Sequence, residues 1–284
     1  MFMRGPLLLA AALSGSGLLA CAVPAPEPGP ESASSTATAI IVVERSSGPG
    51  DAIRGDAVIA RFIRVNQGAV DDPALRIAGV ATDIPGPGQC FAPSDSAPSI
   101  QGRAVELLDV GQITVTGEPV LGEAASPKST VLLPRAMPDP AGVASGVFYS
   151  SRTADVFASG SRMSLRSSGG QDVLDGFSVS VNAPRDVYDV RVTPTTTGLD
   201  VTWDATEVDP HDVVYVDVLA PAPRVVMRCA GADSGRLIVP QSLVQGIDEG
   251  QIAVHRLHKE AFRAKGIDPG EVRFDVARVV TFRR

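Results

Sequence analysis

The sequence is poor in aromatic residues and poorer in histidine and cysteine: its 284 residues include one Trp, three Tyr, nine Phe, three His and three Cys. Lysine is nearly absent as well, since Lys128, Lys259 and Lys265 are the full set and the other basic residues are arginine. Each scarcity excludes something. Three cysteines are too few for a disulfide-dense scaffold, and no Cys-x-x-Cys pair is present to hold zinc. The net charge is −7 and no basic run occurs, which argues against a nucleic-acid partner, because phosphate neutralisation needs clustered cations. The apolar run Leu7–Leu13 falls well short of the roughly 20 residues that a membrane-spanning helix requires. Beyond the N-terminal segment there is no Gly-x-Ser-x-Gly elbow, no Gly-Lys-Ser/Thr phosphate cradle and no His-Glu-x-x-His. A Ser/His/Asp or two-carboxylate site built from distant residues stays open, since such sites are defined by geometry and not by order. No cofactor is indicated.

What is present begins with a charged start and an apolar stretch. Arg4 precedes Leu7–Leu13, Ser14-Gly15-Ser16-Gly17 follows, and the chain then reads Leu18-Leu19-Ala20-Cys21. That is the layout of a secretory signal. A small residue followed at once by cysteine, with Leu three positions before it, resembles the bacterial lipobox. The resemblance implies that residues 1–20 are a lipoprotein signal peptide, that Leu18, Leu19 and Ala20 are the peptidase recognition positions, and that Cys21 is the lipidated first residue. It also implies a membrane-bound product, because several acyl chains exceed the two signals that stable anchoring needs. In such lipoproteins an Asp after the cysteine favours the inner membrane. Ala22 stands there instead, which points to the outer membrane, periplasmic or surface-facing. Residues 21–38 then read as a disordered tether, with Pro24, Pro26, Pro28 and Pro30 followed by a Ser/Thr/Ala stretch unable to bury a core.

From Ala39 the pattern predicts an all-β body: short apolar runs rich in β-branched residues, bounded by Gly, Pro, Asp and Ser. Predicted strands are Ala39–Glu44, Val58–Val65 (with helix as the alternative), Leu75–Ala81, Ala104–Leu108, Ile113–Thr116, Thr130–Leu133, Val147–Ser150, Met163–Arg166 and Phe177–Val181. Asn182-Ala183-Pro184-Arg185 interrupts the series, so two β-sandwich domains are predicted, over 39–183 and 184–284. In the second, Leu199, Val201 and Trp203 alternate with Asp200, Thr202 and Asp204, and Val214, Val216 and Val218 share a face. Runs at Val225–Cys229, Arg236–Val239, Ile252–Leu257 and Val272–Val276 follow. Leu199-Asp200-Val201-Thr202-Trp203 followed by Val213-Val214-Tyr215-Val216 resembles the second and third strands of a fibronectin type III domain, implying an immunoglobulin-like sandwich. With the lipobox, the stretch from Gly169-Gly170 through Phe177 to Pro184 resembles an uncharacterised class of two-domain envelope lipoproteins, a likeness that implies architecture and no activity.

Three groups of residues carry possible chemistry. Cys90 and Cys229 form an even pair that either makes a disulfide or contributes two separate buried hydrophobes. His255 and His258 are three apart, a spacing that places their rings on opposite faces of a strand and argues against a shared metal. Asp204, Glu207, Asp209 and Asp212 gather with His211 in one loop and offer oxygens to calcium, although acidic turns between strands are common in any case. Taken together, the sequence points to a lipid-anchored, non-catalytic module that meets a protein or other envelope partner. Two alternatives stay open: a hydrolase with a scattered site, and a structural partner in an outer-membrane assembly that pairs through an exposed edge strand, for which the C-terminal strand is the candidate.

Overall fold

Period-two alternation of apolar residues carries the fold. The computed structural model describes residues 37–48, 55–66, 68–93, 104–119, 126–138, 144–152, 157–206, 209–220 and 224–284, so Leu18, Leu19, Ala20 and Cys21 lie outside the described residues. In chain order the elements are β1 (Ala37–Ser47), β2 (Gly55–Val65), helix α1 (Asp72–Ile77), β3 (Cys90–Phe91), β4 (Val105–Leu107), β5 (Ile113–Gly117), β6 (Lys128–Leu132), β7 (Arg135–Ala136), β8 (Ala144–Ser151) and β9 (Arg162–Ser167). They continue with β10 (Phe177–Asn182), β11 (Arg191–Thr195), β12 (Gly198–Thr202), β13 (Val213–Leu219), β14 (Val225–Ala232), β15 (Arg236–Pro240), β16 (Glu249–Ala264) and β17 (Ile267–Arg283). The chain is therefore all-β in class.

The strands form a ten-stranded sheet in the order β3-β14-β13-β16-β17-β1-β2-β4-β8-β7, a four-stranded sheet β10-β9-β5-β6 and a three-stranded sheet β11-β12-β15. The two smaller sheets share one face of the large one. On that face Ala39, Ile41 and Val43 of β1, Val58, Ala60 and Phe62 of β2, and Val272 and Phe274 of β17 meet Ile113, Val115, Leu165, Val179 and Val181 in a first core. Val214, Val216 and Val218 of β13 with Ile252 and Val254 of β16 meet Leu199, Val201, Trp203 and Val239 in a second. β10 keeps the alternation read from its sequence, with Phe177, Val179 and Val181 buried and Ser178, Ser180 and Asn182 exposed.

The break at 182–185 corresponds to a change of core and not to a break in the sheet. Ala183 packs in the first core and Val187 in the second, yet all described strands belong to one compact unit, residues 36–284. The hairpin β16–β17 explains the continuity: its strands run 16 and 17 residues, long enough to pass through both cores. β17 is also not an edge, as it pairs with β16 on one side and, in parallel, with β1 on the other.

One predicted strand is a helix. Leu75–Ala81 alternates like a strand, but Asp71-Asp72-Pro73 before it is a helix start: the Asp71 side chain accepts from the Ala74 amide at 3.2 Å, and Pro73 occupies the first turn, where no amide partner is lost. Gly79, at φ +71, closes α1, with its amide bonded to the Arg76 carbonyl and that of Val80 to the Leu75 carbonyl. Ala74, Ala78 and Val80 then cover Ile40, Val42, Ile63, Val65, Val105 and Leu107 on the second face of the large sheet. Val58–Val65, for which helix was the alternative, is strand β2.

Candidate functional site

The second face of the sheet holds a compact group of ionisable residues from five strands. Cross-strand pairing assembles it: Tyr215 of β13 lies opposite His255 of β16, Asp217 of β13 opposite Arg228 of β14, and Asp275 of β17 opposite Glu44 of β1. The Tyr215 ring stacks on the His255 imidazole with centroids 4.3 Å apart, and its hydroxyl donates to Asp275. His255 Nδ1 lies 2.8 Å from the other Asp275 oxygen, and Nε2 lies 3.7 Å from Asp217. Arg228 forms a two-pronged pair with Asp217 at 2.7 and 2.8 Å and places its guanidinium 4.5 Å from the Tyr215 ring centre.

The segment between α1 and β3 closes this group from above like a strap. Arg273 Nη1 donates to the Val80 carbonyl at 2.8 Å, Arg228 Nη1 donates to the Asp83 carbonyl at 2.8 Å, and Ile84 packs on Tyr215, Ala230 and Leu257. Beyond it, Cys90 and Cys229 are joined in a disulfide, as directly opposed residues of β3 and β14. Of the two readings open for this pair in the sequence, the bonded one is the structure's.

Local charge sets the protonation states. Burial works to lower the His255 pKa, but the charge and hydrogen bond of Asp275 and the charge of Asp217 outweigh it and raise the pKa above the usual imidazole range. For Asp275, burial pushes upward and is overcome by the His255 charge and by hydrogen bonds from His255 and Tyr215, so its carboxyl is held down. Burial, with the negative charge of Asp275 beside it, raises the Tyr215 phenol well above its ordinary value. Desolvation and Asp275 raise the carboxyl of Glu44, which sits exposed at the rim. The result is an imidazole whose charged form two carboxylates favour, beside a phenol that donates to one of them. Asp275 takes Nδ1 and Asp217 lies 3.7 Å from Nε2, so the arrangement ties β13, β16 and β17 together.

His258 projects from the opposite face, as its spacing from His255 requires. Its Nδ1 lies 2.6 Å from Asp212, and its pKa is raised first by that hydrogen bond, against burial, with the charges of Asp212 and Glu260 adding to it. Each of these two half-buried imidazoles is held by an aspartate from elsewhere in the chain. The loop read as a calcium candidate does not converge either. Asp204 accepts from the Thr206 amide and hydroxyl, Asp209 accepts from the His211 amide at 2.8 Å, Asp212 faces His258, and Glu207 lies outside the described residues. Among the described residues no group of three or more His, Cys, Asp or Glu side chains is placed to hold a metal ion.

Arginines dominate the seam between the cores, a feature the sequence reading missed. Arg256 is 2% exposed and bonds the Asp233 carboxylate at 2.6 Å and the carbonyls of Arg185, Asp186 and Asp204 at 2.9 to 3.3 Å. Asp233 also accepts from Trp203 Nε1, which satisfies the indole at the margin of the second core. Arg45 pairs with Asp56 and Asp186, bonds the Phe157 carbonyl, and covers the Phe157 ring at 3.8 Å. Together they clamp the connection running from Ala183 to Val190. The available signal was an arginine at an inward position: Ile252, Val254 and Arg256 share one strand face, where a buried charge demands partners.

The fold and these contacts define an all-β protein held by sheet pairing, ion networks and one disulfide. Compared with known proteins, the chain matches no family model and no curated protein.

Proposed function

We propose that this chain is a lipid-anchored cell-envelope protein whose folded body is a non-catalytic binding module. The anchoring half of the reading rests on Leu18-Leu19-Ala20-Cys21 behind an apolar segment. The single structural observation that supports it is the Cys90–Cys229 disulfide, because such bonds persist in oxidising compartments and are rare in the cytosol. The binding half is supported by His255 and His258, each of which is engaged by an aspartate. Strand order adds support for a fibronectin type III-like second half, since β11-β12-β15 face β14-β13-β16-β17. Ala22 after the cysteine favours the outer membrane as the address.

Mass spectrometry of the native protein, with detergent-phase partitioning of the same sample, tests the anchor. The expected result is a mature N-terminus at a lipid-modified Cys21 that partitions with detergent, and a Cys21→Ser protein that does not. An unmodified thiol at Cys21 in a freely soluble product overturns the reading.

A further inference from the structure

Where the clamped connection turns into β11, Tyr188, Asp189, Val190 and Arg191 face Arg278 and Val280 of β17 across a cleft of about 320 Å³. Its two arginines differ from the others of the seam. Arg45 and Arg256 are fully engaged, whereas neither Arg191 nor Arg278 has a carboxylate or carbonyl partner among the described residues. Arg278 is half-buried and lies on the core side of β17, in line with Val276 and Val280, so its charge is partly shielded from water. Arg278, half-buried, and Arg191, exposed, both line the cleft, so an anion entering it meets two cationic side chains. Asp189 also lines the cleft but pairs with neither, leaving an excess of positive charge in a chain whose net charge is −7.

The walls are fixed in advance. Ser159 Oγ accepts from the Asp186 amide at 2.8 Å and lies 3.4 Å from the Tyr188 hydroxyl, while the Tyr188 carbonyl accepts from the Asp204 amide at 3.0 Å. Val187 is buried, and Asp189, at φ +51, is the one residue other than glycine among those described with a left-handed backbone, which turns the chain into β11. Tyr188 is nevertheless 50% exposed, an aromatic face beside the cations. Unpaired arginines with a flat ring in a pre-formed cleft match a compact oxyanion carried on a ring-shaped body.

We propose that this cleft binds a carboxylated or phosphorylated saccharide, its oxyanion between Arg191 and Arg278 and its ring against Tyr188. The inference rests on the binding-module reading and names its ligand class. The anchor test at Cys21 is independent, so failure of one is distinguishable from failure of the other.

Titration calorimetry of the folded protein with glucuronate, glucose phosphate, inorganic phosphate and neutral glucose tests it. Both anionic sugars are expected to bind, with glucose silent and rising salt weakening the association. Arg191→Gln and Arg278→Gln should each lower affinity about tenfold or more, while the exposed Arg166→Gln, on β9, changes nothing. Tyr188→Leu should weaken the sugars and leave inorganic phosphate unaffected. Preference between glucuronate and glucose phosphate identifies which oxyanion is used. The proposal is overturned if neither anionic sugar saturates at millimolar concentration, or if the Arg191→Gln, Arg278→Gln double variant binds them as the unaltered protein does with an unchanged melting temperature.

Discussion

One continuous segment covers the second face of the large sheet twice, by different means. Near β1 and β2 it does so as helix α1, through Ala74, Ala78 and Val80 on an aliphatic floor. Near β13 and β16 it runs as a strap over Tyr215, His255 and Asp275, held by arginine-to-carbonyl bonds and terminated by a disulfide. Burial of hydrocarbon is indifferent to pH and redox state, whereas ion pairs and disulfides respond to both. The lesson is that the same sheet face is robust at one end and conditional at the other.

The largest effect should come from cutting the strap loose. The disulfide joins residues 139 apart, and removing it with Cys90→Ala and Cys229→Ala is expected to cost about 4–5 kcal/mol in the chain-entropy model. Hydrogen exchange should show protection lost around residues 83–92 and retained in α1. Equal loss at both ends would break the comparison. Smaller, and a sharper contrast, is the pair Leu107→Ala and Asp275→Asn. Leu107 is fully buried beneath α1, and its truncation should cost about 3 kcal/mol at every pH between 5 and 9.

Asp275→Asn should cost about 2 kcal/mol at neutral pH, less than a deeply buried pair because the group is part-exposed, and the loss should vary with pH. A histidine whose folded pKa is raised contributes stability that is complete below its unfolded value near 6.5 and disappears as pH climbs through the folded value. Denaturant melts should therefore show the unaltered protein weakening from mildly acidic toward alkaline pH. Asp275→Asn should flatten that slope, leaving the share that His258 contributes through Asp212. The smallest effect is Gly79→Ala, about 1 kcal/mol, because its φ of +71 suits glycine while the space around it is open. That loss should be independent of pH and redox state, as everything at the helical end should be.

Much of the body was legible because each strand carries its own alternation: β10 and β13 could be read residue by residue. α1 was misread because Leu75, Ile77 and Ala81 fit period two, although the Asp71-Asp72-Pro73 start and the Gly79 stop outrank three apolar positions. The ion network was invisible for a different reason. Tyr215 and Asp275 are 60 residues apart and meet only through register, which no local pattern encodes. Only the two possible fates of Cys90 and Cys229 could be stated in advance, since their opposition depends on β3 reaching the margin of β14. The extent of β16 and β17 was also underestimated, because the outer half of β16 mixes exposed Lys259 and Arg263 with apolar residues and so looks like loop.

The parallel contact between β1 and β17 has a kinetic corollary. It brings together positions some 230 residues apart, at the middle of the broadest sheet and not at its margin. A chain emerging from its N-terminal side can form the β1–β2 pair early, but must leave the other flank of β1 unsatisfied until β17 arrives. Closure of the sheet therefore waits on the most distant of its pairings.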